Sequence, residues 1–338
     1  IPDGDDYANV TNGKNVTLSS VVTVNQYGND NGGVLTVNSG GSLTSTYGDT
    51  KPRGGTVNVE TGGSVTHPGW FGITAAEASG KAYAINVNGG SYHQAGQMFL
   101  GDVAVENATI AITVNSGSFN ANWIEMRAST GTTTTLDVNG GAASMAYIGF
   151  TDNGGANTVT VDGGDLIIST ANDTQSLQFK SASDKVWYES GTITWEGVDT
   201  EAEFDAFQAT FNGWVDAGNM DSATFTDQQL KDQLIFDGTE AVLDSEFGVG
   251  TFSGVLHVAT DGNDSWGGTL AAPLATLVGA RDRVRQLKAA GWTDGVTVLV
   301  RGGSYPVEQT IEFDQRDSGT ENSPVIYAAY SNEVVSFI

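Results

Sequence analysis

The chain of 338 residues carries 40 Asp and Glu against 14 Lys and Arg, so its formal net charge at pH 7 is −26, and it contains 45 glycines but no cysteine. So large an excess of negative charge argues against binding to nucleic acid or to anionic membranes. The absence of cysteine excludes a disulfide framework and a cysteine-ligated metal site.

The same composition indicates where the protein works. No run approaches the ~20 apolar residues that a membrane-spanning helix needs. An acidic, glycine-rich chain is typical of proteins that stay soluble in extracellular water, and we predict a secreted or cell-surface protein. Ile1 follows no charged and apolar leader, so we expect any signal peptide to have been removed.

A nine-residue phrase, typified by LTVNSGGSL, recurs seven times in the first two thirds of the chain. Its occurrences begin at Leu35, Val57, Ile85, Ile112, Leu136, Val159 and Val186. These starts are 22, 28, 27, 24, 23 and 27 residues apart, which is the length of one coil of a β-solenoid. Repeats of this kind bury their apolar side only against their neighbours. We therefore predict an all-β fold, with a parallel β-solenoid (β-helix) over residues 1–198.

Alternation within the phrase predicts its buried face. Apolar residues such as Val114 take one parity and polar residues such as Thr113 take the other. The predicted core positions are Val37, Val59, Val87, Val114, Val138 and Val161. The glycines that follow tolerate positive φ, so we expect the chain to turn a corner at the same place in each repeat.

A second repeat follows most of these corners and carries the functional prediction. The aligned segments are WFGIT from Trp70, FLGDV from Phe99, WIEMR from Trp123, YIGFT from Tyr147 and QFKSA from Gln178. One parity is predicted to be core: Phe71, Leu100, Ile124, Ile148 and Phe179. The other parity is predicted to be solvated: Gly72, Gly101, Glu125, Gly149 and Lys180. Four aromatic residues share the solvated side: Trp70, Phe99, Trp123 and Tyr147.

These four rings predict a binding surface. Strands of a ladder lie ~4.8 Å apart, so one ring per strand would form a stripe about 15 Å long. Contiguous exposed aromatic residues usually mark a binding surface, and sugars stack their C–H faces on such rings. The predicted partner is therefore an extended extracellular polysaccharide, bound without catalysis. Arg127 and Lys180 lie on the same side and would suit a sulfated or uronate-bearing glycan.

Other interpretations of the repeats and the stripe remain open at this point. The rings could be covered by the protein's own chain. The repeats could also form a structural or adhesin spacer, or a fibre that associates through its ends or through the stripe.

The sequence changes character near residue 200. Residues 201–218 place four aromatic side chains at helical spacing, after Asp199 and Thr200 as a cap. These side chains are predicted to be core: Phe204, Phe207, Phe211 and Trp214. Two strand-like segments follow, QLIFDG and EAVLDS, and residues 247–254 read as a linker. We predict that residues 199–249 form a helical and β cap with a linker.

The last segment, residues 250–338, contains a series of recognisable motifs. They are DGND from Asp261, PLATL from Pro273, ARDRVR from Ala280, the apolar strand 296–300, RGGSY from Arg301, DSGT from Asp317 and PVIYAAY from Pro324. In this order they resemble the entry segment of right-handed parallel β-helix enzymes that act on polysaccharides, including fucosidase- and xylanase-type glycosidases. The resemblance implies a capping helix near 274–290, followed by the first coils of a second β-helix.

The same resemblance shapes the expectation about catalysis. In such enzymes the catalytic residues lie on later coils, so we expect no catalytic residue and no activity in these 338 residues. The alternative is that the chain is part of a β-helix glycosidase or lyase whose active site lies beyond it. The TVNSGG and INVNGG phrases also resemble glycine-rich repeats of autotransporter-like bacterial surface proteins, which implies an extracellular β-solenoid.

Metal-binding signals are weak in this sequence. His67, His93 and His257 are isolated, which leaves no transition-metal motif. Residues 3–6, 29–31 and 261–264 cluster acidic and Asn side chains that could bind Ca²⁺, but none has the spacing of an EF-hand loop. Stabilisation of turns is the favoured role of these clusters. We predict no cofactor and no metal, with a structural Ca²⁺ as the alternative.

Overall fold

The computed structural model describes most of the chain. The described residues are 7–11, 13–30, 32–46, 52–74, 76–151, 153–169, 177–236, 240–244, 254–264, 267–268, 270, 273–289, 292–307, 310–331 and 333–338. They form two compact units, the first from residues 1–197 with 209–227 and the second from residues 198–208 with 228–338. The predicted cluster at 3–6, Asn31 and nearly all of the linker at 247–254 lie outside the described residues.

The first unit is built from short and long β-strands. They are β1 (Tyr7–Val10), β2 (Asn15–Leu18), β3 (Val21–Val24), β4 (Gln26–Asn29), β5 (Val34–Val37), β6 (Ser42–Ser45), β7 (Gly55–Glu60), β8 (Ser64–His67), β9 (Phe71–Ile73), β10 (Ala82–Leu100), β11 (Thr109–Met126), β12 (Thr133–Val138), β13 (Ala142–Phe150), β14 (Ala156–Ile168), β15 (Leu177–Gln178), β16 (Lys185–Trp195) and β17 (Met220–Asp221). A 3-10 turn at Ala76–Ala78 interrupts them.

These strands pair in three parallel ladders, and β1 pairs with β4 beside them. The first ladder contains β2, β5, β7, the starts of β10 and β11, β12, the starts of β14 and β16, and β17. The second contains β3, β6, β8 and later parts of β10, β11, β14 and β16, with the start of β13. The third contains β9, the ends of β10, β11 and β13, and β15. The prediction of a mainly β chain with many parallel strands is confirmed.

The register of the first ladder follows the sequence repeat. Each of the first six predicted starts pairs directly with the next one, from Leu35 opposite Val57 to Val159 opposite Val186. The six predicted core valines form a neighbouring column, and each has 0% of its surface exposed. A single repeat could not bury its valine alone, so this burial of apolar surface depends on the neighbouring repeats.

In six of the seven repeats a glycine with positive φ turns the corner between the first and second ladders, as predicted, whereas Gly140 and Gly141 of the repeat that starts at Leu136 do not have a positive φ. The corner glycines with positive φ are Gly40, Gly62, Gly89, Gly117, Gly163 and Gly191. At Gly117, with φ of 82°, a Cβ atom would also lie 2.2 Å from the carbonyl oxygen of Gly90 in the preceding repeat. The corner therefore needs glycine for two reasons, conformation and space.

An asparagine ladder runs along the outside of the same corner. The side-chain amide of Asn139 donates to Oδ1 of Asn115 (3.1 Å), and Asn115 donates in turn to Oδ1 of Asn88 (2.9 Å). Asn88 completes the series by donating to Oε1 of Glu60 (3.1 Å). Exposed and partly exposed amides thus satisfy one another from repeat to repeat.

Helix α1 (Glu201–Asp216) begins and ends as predicted. At its start the backbone N–H of Glu203 donates to the hydroxyl of Thr200 (3.3 Å), and the Glu203 carboxylate accepts from the backbone N–H of Asp199 (3.1 Å). Gly218, with φ of 67°, follows its end. Three of its four predicted core aromatics are buried, namely Phe204, Phe207 and Phe211. Trp214 is only partly buried, and its ring packs edge-on against Phe179.

The second unit combines two further helices with short strands. These are α2 (Asp227–Gln233), β18 (Leu234–Phe236), β19 (Ala241–Asp244), β20 (Val255–Val258), α3 (Leu277–Ala289), β21 (Val296–Val300), β22 (Gly303–Tyr305), β23 (Val325–Ala329) and β24 (Val335–Phe337), with a 3-10 turn at Gln315–Asp317. β18 and β19 are antiparallel, whereas β20, β21 and β23 form one parallel sheet and β22 pairs with β24 in parallel. The predicted helix near 274–290 is confirmed.

Helix α3 packs on the parallel sheet of the second unit. Ala280, Val284 and Leu287 join the strands' apolar side chains in one buried core. Asp264, from the predicted DGND turn, accepts hydrogen bonds from the backbone N–H groups of Ala275 (2.9 Å) and Thr276 (2.8 Å) just before the helix. This carboxylate therefore fixes the start of the helix, as its favoured role in turn stabilisation predicts.

A bidentate ion pair ties the same helix to the 3-10 turn. Arg285 donates from Nε and Nη2 to the two carboxylate oxygens of Asp317, each at 2.7 Å, and the Asp317 side chain is 4% exposed. Hydrogen bonds from Arg285 hold the pKa of Asp317 below its usual value. The cationic face of α3 is thus committed to contacts within the protein.

The lowered pKa of Asp317 makes the second unit sensitive to acid. A carboxylate whose pKa is depressed in the folded state stabilises the fold above its unfolded pKa of about 3.9, and this contribution is lost as the pH falls through the lower folded value. We expect Asp317→Asn to lower the urea midpoint at pH 7 and to differ less from the wild type below about pH 4. Asp282→Asn is the control, because Asp282 contacts the same arginine from a side chain that is 47% exposed. An equal effect of both substitutions at pH 7 would refute this role.

In the described part of the chain, no helix has the length and apolar character needed to cross a bilayer.

Candidate functional site

The candidate site lies on the outward side of the third ladder, where the strands end. The inward side chains of this ladder anchor it in the core, since Phe71, Leu100, Ile124 and Ile148 each have 0% of their surface exposed. Alternation then directs the intervening residues outward. The aromatic residues predicted for the stripe, Trp70, Phe99, Trp123 and Tyr147, are all partly exposed, and we call them the aromatic strip.

The strip differs from the predicted single column. Trp123 lies opposite Tyr147 on one side but opposite Gln97, not Phe99, on the other. Phe99 pairs instead with Gly72 and with Glu125. The prediction is wrong here because the sequence alignment places FLGDV two residues too late: Phe99 shares its register with Gly72 and Glu125, whereas Gln97 shares the register of Trp123 and Tyr147.

The four rings consequently form two pairs. Trp70 and Phe99 have ring centroids 5.3 Å apart with an interplanar angle of 44°. Trp123 and Tyr147 are closer, at 4.1 Å and 35°. Since Trp123 and Tyr147 occupy neighbouring strands in register, each ring covers part of its partner. Nε1 of Trp123 is inaccessible to solvent, and no described residue hydrogen-bonds to it.

The glycines of this ladder are buried, which corrects the prediction that they are solvated. A Cβ atom on Gly72 would lie 2.4 Å from Cη2 of Trp70, and one on Gly149 would lie 2.5 Å from Cε1 of Tyr147. Gly101 is likewise buried, close to the backbone of Arg127. The glycines therefore leave space for the protein's own aromatic rings, which pack flat against the backbone of the ladder.

Arg127 is not the uncommitted cation that the sequence predicts. Its guanidinium carbon lies 4.1 Å from the centroid of the Phe99 ring, which is a cation–π contact. Its Nη2 donates to the Glu125 carboxylate, and its Nη1 lies 3.9 Å from the carboxylate of Asp102. Two carboxylates thus offset one guanidinium in the middle of the strip.

Tyr147 shares this electrostatic environment. Partial burial and the negative charge of Glu125 raise the pKa of its phenol, and the charge of Arg127 opposes them. The hydroxyl group therefore stays protonated at neutral pH and can donate a hydrogen bond to a ligand.

Lys180 lies farther along the ladder than predicted. Gln178, two residues earlier, pairs with Gly149 rather than with Tyr147, so the alignment is again offset by two residues. The side chain of Lys180 is exposed, and its backbone N–H donates to Asp184 (3.1 Å). Phe179, predicted to be core, is only partly buried and stacks on Phe150.

Sequence reasoning missed two contributors to the site and the role of a third. Gln97 lies opposite Trp123, and the Asp102 carboxylate lies 3.9 Å from Nη1 of Arg127; the alignment of FLGDV with WIEMR hides both. His67 is fully buried, where it contacts the Ser45 hydroxyl through Nδ1 and the carbonyl oxygen of Trp70 through Nε2 (3.2 Å). Since that carbonyl only accepts, Nε2 carries the proton and supports the start of the strip.

Metal ligands are not brought together in the described residues. No group of three or more His, Asp or Glu side chains there is arranged to hold an ion. His257 is partly buried in the second unit, and burial together with the charge of Arg301 lowers its pKa.

Comparison with known proteins gives a partial similarity. Pectate lyase PEL9 of Emericella nidulans is 34% identical to this chain over 80 residues, which are 24% of this chain and 17% of the lyase. The chain thus spans less than a fifth of that relative's length. No protein-family profile and no solved structure matches the chain. The similarity fits the predicted relation to β-helix polysaccharide enzymes, whereas the fucosidase, xylanase and bacterial surface-protein details receive no support.

Proposed function

We propose that the chain is part of a secreted polysaccharide-processing protein, in which the three ladders are the faces of a parallel β-solenoid. The aromatic strip on its third face would bind an extended glycan without catalysis. The partial similarity to a pectate lyase supports the polysaccharide theme. The in-register pairing of repeats supports the solenoid, because each repeat contributes strands to successive ladders.

The observation that carries the binding role is the arrangement of the strip. Four partly exposed aromatic side chains fall on consecutive repeats, on one side of one ladder. With ~4.8 Å between strands, the strip extends about 15 Å along the stacking direction. A polymer lying in that direction could contact every ring, and its sugar C–H groups would meet apolar surface.

The charged groups of the strip fit binding better than bond cleavage. Glu125 is held by Arg127, so its carboxylate is already committed and would not serve as a free general acid or base. Carboxylate oxygens and the Tyr147 hydroxyl can instead exchange hydrogen bonds with sugar hydroxyls.

A structural role is the second candidate, and the mutual coverage of the rings favours it. Trp123 and Tyr147 stack on each other, and Arg127 covers the ring of Phe99. Part of the aromatic surface of the strip is therefore already in contact with the protein itself. A spacer would keep these contacts for stability alone. Affinity for a polysaccharide separates the two functions.

Replacement of Trp123 tests the proposal directly. In affinity electrophoresis of the full chain against a panel of neutral, uronate-containing and sulfated polysaccharides, we expect at least one to retard the wild type. Trp123→Ala should lose about 1–3 kcal/mol of binding free energy if the ring is a hot spot. Loss of the ring pair should also cost about 1 kcal/mol of stability.

The control is Trp187→Ala, which removes a partly exposed tryptophan from the first ladder. It should leave the retardation unchanged. If no polysaccharide retards the wild type and Trp123→Ala only lowers the melting temperature, the strip is scaffold. Unsaturated uronates or new reducing ends in the mixtures would show cleavage and contradict a purely binding role.

A further inference from the structure

We propose that the aromatic strip selects neutral polysaccharides and rejects uronate-bearing or sulfated ones. This inference rests on the proposed function and specifies the substrate class of the same site. It departs from the expectation, based on Arg127 and Lys180, that an anionic glycan would bind.

The first support is the local balance of charge. Two carboxylates, Glu125 and Asp102, both contact Arg127, so they equal in number the two cations assigned to the site, Arg127 and Lys180. Only Lys180 has an exposed side chain, whereas the Arg127 side chain is 28% exposed and is engaged on three sides by Phe99, Glu125 and Asp102. The strip therefore offers no net positive charge to a polyanion.

The second support is the loss of existing contacts that would follow if Arg127 bound an anionic group of the glycan. A sulfate or uronate group would have to compete with Glu125 for the guanidinium. The Glu125 side chain is 19% exposed, so losing its partner would leave a largely buried carboxylate uncompensated beside the new anion. The cation–π contact with Phe99 would also be weakened.

The third support is the field of the whole chain. A net charge of −26 repels polyanions during approach, and salt at physiological strength screens this repulsion only beyond about 8 Å. A neutral polysaccharide meets no such barrier. Its hydroxyl groups can donate to Glu125 and Asp102, and they can accept from Tyr147.

Matched pairs of polymers test the inference, because each pair shares a backbone and differs in charge. We would measure binding of the full chain to hydroxyethylcellulose against carboxymethylcellulose, and to fully methyl-esterified homogalacturonan against polygalacturonate. Within any pair that binds, the neutral member should bind at least about tenfold more tightly at low salt. Added salt should leave the affinity for the neutral member unchanged and should reduce the difference in affinity between the two members of a pair.

Removal of one carboxylate should shift this preference. Glu125→Gln removes the carboxylate that holds Nη2 of Arg127, so the ratio of anionic to neutral affinity should rise. Asp137→Asn makes the same change of charge on the first ladder, where Asp137 pairs with Thr113 and Thr160. This control should raise anionic binding much less, and urea midpoints would confirm that both variants are folded.

The outcomes distinguish this inference from the proposed function. Tighter binding of the wild type to the anionic member, weakened by salt, would overturn the neutral preference and leave glycan binding intact. Equal gains for Glu125→Gln and Asp137→Asn would also overturn it, because the local network would then not set the selection. Failure of every neutral and anionic polymer to bind would instead contradict the proposed function itself.

Discussion

Val114→Asp should unfold or severely destabilise the stack of repeats. Val114 has 0% of its surface exposed and lies between Val87 and Val138 in the central valine column. An aspartate there would place a charge among apolar side chains with no partner, and such substitutions belong to the most destabilising class, at about 4 kcal/mol or more. Urea denaturation followed by far-UV circular dichroism would measure the loss.

The matched control is the adjacent residue. Thr113 lies on the same strand but on the outward, partly exposed side, so Thr113→Asp should change stability by less than about 1 kcal/mol. A buried carboxyl group titrates at a raised pKa, so Val114→Asp should recover part of its stability as the pH falls and the group becomes neutral. Equal effects of the two substitutions at pH 7 would mean that Val114 does not face the core.

Gly117→Ala should also be strongly destabilising, although it adds only a methyl group. The φ of 82° costs an L-residue about 1–2 kcal/mol. The new Cβ would lie 2.2 Å from the carbonyl oxygen of Gly90, and relief of such a clash typically costs a further 1–3 kcal/mol or so. We expect a total loss of about 3 kcal/mol, measured by urea denaturation.

Gly80 separates the two contributions. Its φ is 71°, but nothing lies within 4 Å of the position that a Cβ would take. Gly80→Ala should therefore show only the conformational cost, about 1–2 kcal/mol. If Gly117→Ala were no worse than Gly80→Ala, the close contact between neighbouring repeats at this corner would be absent in solution.

The features that the sequence predicts best are those set by alternation and by repeat length. The seven phrase starts and the six core valines are correct because a slip of one residue would turn every valine outward, at a large cost in buried apolar surface. The boundaries of α1 are equally predictable, since Thr200 and Gly218 supply local signals. Each of these features is determined by residues within one strand or one helix, so it can be predicted without knowing which residues lie beside it.

The site is less predictable because a shift of two residues in the alignment of neighbouring strands leaves the inward and outward alternation unchanged. Moving Phe99 from the Trp123 register to the Glu125 register leaves both rings on the outward side, so the alternation of the sequence cannot tell the arrangements apart. The engagement of Arg127 by Asp102 of the preceding repeat depends on such a through-space neighbour. Its identity follows only once the register is known.

The asparagine ladder at the corner has a direction, and because of this direction its asparagines are interchangeable between repeats. Each amide donates toward the lower-numbered neighbour, from Asn139 through Asn115 to Asn88, and the carboxylate of Glu60 accepts the last hydrogen. Excision of residues 112–135 would bring Asn139 beside Asn88 with its donor still facing an acceptor. Loss or gain of a whole repeat would thus leave no amide of this ladder without an acceptor, provided that the acidic residue stays at the receiving end.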